Sequence, residues 1–234
     1  FKDFTSSTLA FLSEGSTLKT AVSTSYPIEI VDKPDWITFT LQNDSVFLTA
    51  SASSPRKGSI TFSSQDRTIS YDIMQVSYAG FLGEWEMEFN NPSASNRLET
   101  ATVIFEENVY NSSFWLRNLI ITGSNEAIIH VDFNPTTNDV TISAGQYLMT
   151  ATDGRLVILS LRSDRGTYVY GTGSQLGGTL DIAEDGTVTY TFAQNGTWPD
   201  ANGIGFYLFT GTLDNLGTTG SSYRRFMNVK MKKL

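Results

Sequence analysis

Hydrophobic and polar residues alternate with a period of two along most of this chain, and this alternation limits the possible folds more than any other feature. In the first third it runs through Val46–Ala50, Gly58–Phe62 and Thr68–Ile73, with turn-rich segments between them. After residue 80 similar runs follow one another without an intervening helical stretch. A two-residue period places successive side chains on opposite faces of an extended strand. The sequence therefore predicts an all-β protein.

Composition excludes several kinds of chemistry. The 234 residues include no cysteine and one histidine, His130, which excludes disulfides, thiolate metal ligands and histidine-rich metal sites. A formal net charge of -8 opposes binding to a phosphate backbone, so we expect no nucleic-acid partner. No apolar run is long enough to predict a transmembrane segment. We expect a monomeric, non-enzymatic protein without a cofactor or bound metal.

A short junction at Ser77–Gly80 separates two predicted domains. Residues 1–78 carry the short strands and turns of an Ig-like β-sandwich. Residues 79–234 carry a longer series of strand-forming runs, and closing them into an antiparallel barrel removes the sheet edges that would otherwise be exposed. We therefore predict a sandwich followed by a meandering antiparallel β-barrel.

Three segments of the first domain occur in an order and spacing typical of a known family. They are Pro34-Asp35-Trp36-Ile37, Arg56-Lys57-Gly58-Ser59-Ile60-Thr61-Phe62 and Ile73-Met74-Gln75. In these segments residues 1–78 resemble the BACON family, the Bacteroidetes-associated carbohydrate-binding often N-terminal domain. The resemblance implies an exported protein of the bacterial cell surface or periplasm. It also implies a Bacteroides-type outer-membrane lipoprotein whose lipid anchor lies upstream of this chain.

Further segments of the second domain resemble the lipocalin-like, or calycin-like, C-terminal domains of such surface lipoproteins. Gly83-Glu84-Trp85 is similar to the Gly-x-Trp that opens calycin barrels. Asp139–Gln146 and Glu184–Val188 are similar to their later hairpins. The resemblance implies a lipocalin-like barrel over residues 79–234.

A long loop before the last strands is the first candidate binding site. Sugar recognition sets an aromatic ring against the apolar face of the sugar, while amides and carboxylates bind its hydroxyl groups. The segment Gln194–Gly203 places Trp198 near Asp200 and Asn202, and Tyr207 follows on the next strand. We predict that these four residues contribute to a ligand site. The alternative is that Trp198 covers the end of the barrel core.

Aromatic residues in two strands are the second candidate. Trp115 lies between two apolar residues, and Tyr168 and Tyr170 share one face of a predicted strand. Each of these side chains either lines a ligand cavity or packs in the barrel, which is the commoner fate of an aromatic residue there.

Other conspicuous residues are predicted to be structural. Trp85 alternates with apolar residues and should point into the barrel. His130 and Asp132 share a face and should form an exposed polar stripe. Gly171–Gly178 departs from the phosphate-binding glycine pattern and should be a flexible turn.

The end of the chain is basic. Tyr223–Lys233 contains five Lys and Arg residues and no acidic residue. The simpler interpretation is a basic stripe on a closing strand, and the sharper one is a site for an acidic glycan.

These patterns favour a surface-exposed protein that binds or presents toward glycans, with a polysaccharide or a host glycan as its partner. A barrel enclosing a small apolar ligand is the alternative, because calycin folds often hold one. A structural spacer or adhesin domain is a further alternative. A hydrolase is the weakest hypothesis, because the sequence offers no nucleophile motif beside His130.

Overall fold

The computed structural model describes residues 8–22, 26–122, 125–135, 137–163, 165–171, 173–193 and 201–234. The chain divides into two compact units, with the main division between Gly80 and Phe81. The predicted domain boundary at residues 78–79 lies just before this point. Both units are built from strands, which confirms the all-β fold class.

The first unit is a β-sandwich. One sheet has the order β1-β7-β6-β3, with β1 parallel to β7, and the other has the order β2-β5-β4. Buried residues from both sheets form one core, with Trp36 partly buried at its border. The strands are β1 (Thr8–Phe11), β2 (Gly15–Ala21), β3 (Glu29–Asp32), β4 (Ile37–Gln42), β5 (Ser45–Ser51), β6 (Arg56–Ser64) and β7 (Arg67–Gln75).

The second unit follows a one-turn helix, α1 (Tyr78–Phe81), and contains a short 3-10 helix at Pro92–Ala94. Its described strands begin at Gly83 and end at Lys233. They are β8 (Gly83–Asn91), β9 (Arg97–Val109), β10 (Ser113–Arg117), β11 (Ile121–Thr122), β12 (Asn125–Glu126), β13 (Ile129–Asn134), β14 (Asp139–Ser143), β15 (Tyr147–Thr150), β16 (Leu156–Arg162), β17 (Tyr168–Val169), β18 (Gln175–Ile182), β19 (Val188–Ala193), β20 (Gly203–Thr212) and β21 (Asn215–Lys233).

A closed ring of eight of these strands forms an antiparallel barrel. The ring order is β8, β9, β10, β13, β14, β18, β19 and β21, and β21 pairs again with β8. Each ring strand therefore pairs with the ring strands before and after it in the chain. This closed meander confirms the predicted barrel.

An additional sheet, here called the annex, extends from the barrel. It has the order β15-β16-β20-β21, and β17 pairs with β16 beside β15. The first part of β21, up to Met227, pairs with β20, and the rest pairs with β8 and β19. The sequence predicts strands at Leu156–Leu159, Thr167–Tyr170 and Phe206–Phe209, and the structure places these strands in the annex, outside the closed ring.

Aromatic rings fill one end of the barrel interior. The ring of Phe81 lies 5.5–6.3 Å from the rings of five residues: Trp85, Phe105, Phe114, Phe133 and Tyr190. Trp85 is fully buried, as predicted, and its indole N–H donates a 2.7 Å hydrogen bond to the carbonyl oxygen of Phe81. Aromatic contacts of this kind stabilise a core beyond the area they bury.

The sequence predicted a flexible turn at Gly171–Gly178, but only part of this segment is a turn. Strand β18 begins at Gln175, so Gly177 and Gly178 belong to the barrel wall. A Cβ atom at Gly178 would lie 2.2 Å from Cε1 of Tyr190. A glycine is therefore needed where the Tyr190 ring crosses this strand.

Candidate functional site

One rim of the barrel, here called the annex rim, gathers the irregular parts of the second unit. Because neighbouring ring strands are antiparallel, β8, β10, β14 and β19 all end at the same rim. The 3-10 helix follows β8, the β11–β12 hairpin follows β10, and the chain leaves for the annex after β14 and β19. The Phe81 ring cluster lies toward the other rim, where β8 begins. Loops gathered at one end of a rigid scaffold commonly carry binding sites.

Tyr168, Tyr170 and Tyr207 form an aromatic group on the annex. The rings of Tyr168 and Tyr207 stack with centroids 4.5 Å apart and an angle of 14° between their planes. Tyr168 and Tyr170 stack at 6.3 Å and 29°, and Tyr170 meets Phe209 edge-on at 4.9 Å. Tyr168 and Tyr170 are each 40% exposed, whereas Tyr207 is 6% exposed. The structure thus brings together three of the predicted site residues, two of which face solvent.

Small residues make room for this stacking. In the annex register Ser160 on β16 pairs with Gly205 on β20, and the next positions along that face are Arg162 and Tyr207. The Ser160 hydroxyl donates a 2.9 Å hydrogen bond to the Gly205 carbonyl oxygen. A Cβ atom at Gly205 would lie 2.8 Å from Cδ of Arg162 and 3.1 Å from Cε2 of Tyr207. The missing side chain at Gly205 therefore accommodates both the arginine stem and the tyrosine ring.

Arg162 adjoins the aromatic group. Its guanidinium carbon lies 5.8 Å from the centroid of Tyr168 and 5.6 Å from that of Tyr207. The residue is 7% exposed, and its Nε has no hydrogen-bond partner among the described residues. Burial lowers the pKa of Arg162, and the like charge of Arg225 lowers it further. A cation in these surroundings is held at a cost in stability, since burial and a like charge both disfavour the charged form.

Arg162 and Arg225 line one cavity of about 400 Å³. The Arg225 guanidinium donates a 3.1 Å hydrogen bond to the hydroxyl of Ser93, while its Nε lacks a partner within the described ranges. None of the cavity's described lining residues is acidic. The remaining lining residues are Pro92, Ser95, Asn96, Ser163, Gly166, Met227 and Asn228.

Asn202, another predicted site residue, is buried beside this cavity. Its backbone N–H donates to the carbonyl oxygen of Arg162 at 2.9 Å, and its side-chain amide donates to Oδ1 of Asn228 at 3.1 Å. Asn228 lies where β21 passes from the annex into the barrel, and its amide in turn donates to Asn90. Asn202 thus links the cavity wall to this crossing point.

The other predicted site residues lie elsewhere. Trp115 is partly buried on β10, where its ring meets that of His130 at 5.3 Å. No annex strand pairs with β10 among the described residues. Trp198 and Asp200 lie outside the described residues.

A second depression, of about 530 Å³, lies near the β11–β12 hairpin and β15. Its Arg117 donates to Glu126 and Glu106 at 2.7 Å each. These hydrogen bonds raise the pKa of Arg117, and the Arg117 partner lowers the pKa of Glu126. The Arg117 guanidinium is thus paired with both carboxylates, as in a structural ion-pair network.

His130 and the acidic residues of the barrel were the remaining candidates for polar chemistry. Nδ1 of His130 lies 3.7 Å from Oδ1 of Asp132 on the exposed side of the barrel, as predicted for a polar stripe. Among the described residues no three His, Cys, Asp or Glu side chains are close enough together to hold a metal ion. In the same part of the chain no helix has the length and apolar character needed to cross a membrane.

Comparisons with known proteins give no relative for this chain: no protein-family model, no curated protein and no solved structure matches it.

Sequence reasoning identified the tyrosines but not Arg162. Arg162 ends the largely apolar run Leu156–Leu161 and is followed by Asp164 and Arg165, so the sequence there resembles an ordinary charged turn and does not predict a site. The sequence signal that could have indicated this site is the pair Gly203 and Gly205, which lie on the strand between the two arginines. Alternate glycines within a strand indicate that other groups approach the backbone closely there.

Proposed function

We propose that this protein is a non-enzymatic carbohydrate-binding module and that Tyr168 and Tyr170 form its contact surface for sugar rings. The observation that carries the proposal is the stacking of two partly exposed tyrosine rings on a buried aromatic base. A ring fixed in this way offers a flat apolar face at little cost in side-chain entropy, because its rotamer is already restricted.

The surrounding residues support this assignment. Tyr207 and Phe209 lie beneath the exposed rings as part of one buried cluster with Ile158. The Arg162 guanidinium beside Tyr168 supplies hydrogen-bond donors next to the aromatic surface. Carbohydrate sites combine such apolar faces with a small number of placed polar groups.

On the basis of the resemblance to BACON and lipocalin-like domains, we further propose that the protein is an exported lipoprotein at the surface of a bacterial cell. The alternative of a barrel enclosing an apolar ligand is less favoured, because Phe81 and the five aromatic rings around it occupy one end of the barrel.

Affinity electrophoresis in native gels containing single polysaccharides tests the proposal. We expect at least one polysaccharide to retard the wild-type protein, and Tyr168→Ala and Tyr170→Ala to weaken this binding by about tenfold each. Tyr110→Ala is the matched control, because Tyr110 is 69% exposed and lies in the turn after β9. Thermal melts in parallel establish that each variant is folded.

Two results would contradict the proposal. One is the absence of retardation by every neutral and acidic polysaccharide tested, which would favour a spacer domain. The other is equal retardation of the wild type and both tyrosine variants, which would place any sugar site elsewhere.

A further inference from the structure

The cavity at the annex rim contains two arginines whose charges have no acidic partner among its described lining residues. They come from strands separated by β20: Arg162 pairs in register with Gly203, and Gly205 pairs with Arg225. All four positions therefore lie on the same face of the annex. Neither glycine has a side chain of its own, and other groups approach the backbone there: the sulfur of Met227 lies over Gly203, and the Arg162 stem and Tyr207 ring lie over Gly205.

A buried guanidinium without a counter-charge is uncommon, because buried charges in proteins are normally paired. Arg162 is 7% exposed, and its hydrogen bond to the Gly166 carbonyl oxygen is long, at 3.4 Å. Its Nε and that of Arg225 are buried donors without a partner in the described part of the chain. An unsatisfied buried donor is costly, and this cost is recovered when an acceptor enters the site.

We propose that this cavity binds the carboxylate or sulfate group of an acidic sugar. Guanidinium groups are suited to this role, since their N–H donors match the oxygen atoms of such anions and retain their charge. The proposal deepens, and rests on, the proposed carbohydrate-binding function, because Arg162 lies beside the Tyr168 ring that would carry the sugar. A sugar stacked there can direct its acidic group toward Arg162.

The protein's overall charge makes this site selective rather than generally attractive to anions. The chain has a formal net charge of -8, so long-range forces oppose an approaching polyanion. Binding must then depend on short-range contacts with the two guanidinium groups. Added NaCl should weaken it, but less than it weakens binding between exposed charges.

Comparing an acidic polymer with its neutral counterpart distinguishes binding of the acidic group from binding of the sugar backbone. Polygalacturonate is compared with its methyl-esterified form, and dextran sulfate with dextran, in native affinity gels. We expect the wild type to bind at least one acidic polymer about tenfold more tightly than its neutral counterpart. Arg225→Gln and Arg162→Met should remove this preference. Arg224→Gln is the matched control: it removes the same charge from an exposed position on the other side of the strand.

Free anions distinguish a site for small ions from a glycan site. Galacturonate and inorganic sulfate should raise the melting temperature of the wild type and of Arg224→Gln, but not of Arg225→Gln. If they do so while no polymer is retarded, the anion site stands and the carbohydrate-binding function fails. If acidic and neutral polymers bind equally and Arg225→Gln has no effect, the carbohydrate-binding function stands and the anion site is overturned.

Arg162→Met provides a test that does not need a ligand. Methionine retains an apolar stem over Gly205 and removes the charge, so the melting temperature of the free protein should stay the same or rise. A marked fall, together with no effect of any anion on the wild type, would show that the guanidinium has a structural partner and would overturn the proposal.

Discussion

The ring of Tyr168 lies almost parallel to that of Tyr207, with their centroids 4.5 Å apart. Tyr168 belongs to β17, a strand of two residues, whereas Tyr207 lies within the ten-residue strand β20. A strand as short as β17 has few backbone hydrogen bonds of its own. The ring contact therefore adds a side-chain link between Tyr168 and the interior of the annex.

Replacing Tyr168 with alanine should destabilise the protein by about 1–2 kcal/mol, because the ring contact is lost and Tyr207 becomes exposed. Tyr168→Phe keeps the stacked ring and should change stability by less than about 0.5 kcal/mol. Urea denaturation of the three proteins measures these differences. Equal losses in both variants would indicate that the hydroxyl group, and not the ring, stabilises this position.

Gly178→Ala should destabilise the barrel by about 1–3 kcal/mol, since overpacking a filled site displaces its neighbours. The added Cβ atom would lie 2.2 Å from Cε1 of Tyr190 and 2.6 Å from the carbonyl oxygen of Thr191. Gly171→Ala is the control, because a Cβ atom there has no described neighbour within 4 Å. Thermal unfolding that affects both variants alike would contradict the expected crowding at Gly178.

Tyr190→Phe should alter how stability depends on pH. Burial raises the pKa of Tyr190 above its usual value of 10.0, and its hydroxyl donates a 2.7 Å hydrogen bond to the Val140 carbonyl oxygen. Above pH 10 the unfolded chain ionises this group while the folded protein keeps it protonated, so the wild type loses stability as pH rises.

Near neutral pH, Tyr190→Phe should be less stable than the wild type by about 1 kcal/mol, through loss of the hydrogen bond. Above about pH 10 this difference should shrink, because phenylalanine has no proton to lose. Urea denaturation at several values between pH 7 and pH 11 measures the difference. A constant gap over this range would show that Tyr190 does not cause the alkaline loss.

Gln75→Leu should destabilise the sandwich by about 1–3 kcal/mol, because buried polar groups lose their partners. The fully buried Gln75 amide donates to the carbonyl oxygens of Leu12 and Ser51 at 2.7 and 2.8 Å, and its oxygen accepts from Nε of Arg56 at 2.8 Å. Gln42→Leu is the control, since Gln42 is exposed on β4. Similar free energies of unfolding for the two variants would refute a special role for Gln75.

The alternation of side chains was sufficient to predict the sandwich, the closed barrel and the inward position of Trp85. It was insufficient for the annex, because both faces of β16 are buried and the strand reads as a continuous apolar run. A strand in the wall of a single barrel has one buried and one exposed face, whereas a continuous apolar run indicates burial of both faces. The composition of β16, and not the alternation, was the signal that this strand lies outside the ring.

The candidate site could be predicted only in part. Tyr168 and Tyr170 share a face through simple alternation, so their pairing follows from the sequence. Arg162 and Arg225 come from strands that meet only through the register of β20, and no local pattern encodes that register. Tertiary pairing, not local preference, creates the cavity.

The strand β21 spans Asn215–Lys233 and belongs to both the annex and the barrel wall. Its backbone continues from the annex into the ring, with a register shift between Met227 and Lys230, so a ligand that rigidifies the annex also restrains the strand that closes the ring against β8. When a ligand occupies the annex rim, amide hydrogen exchange should therefore slow at Arg225 and also along the strand as far as Met231 in the barrel wall.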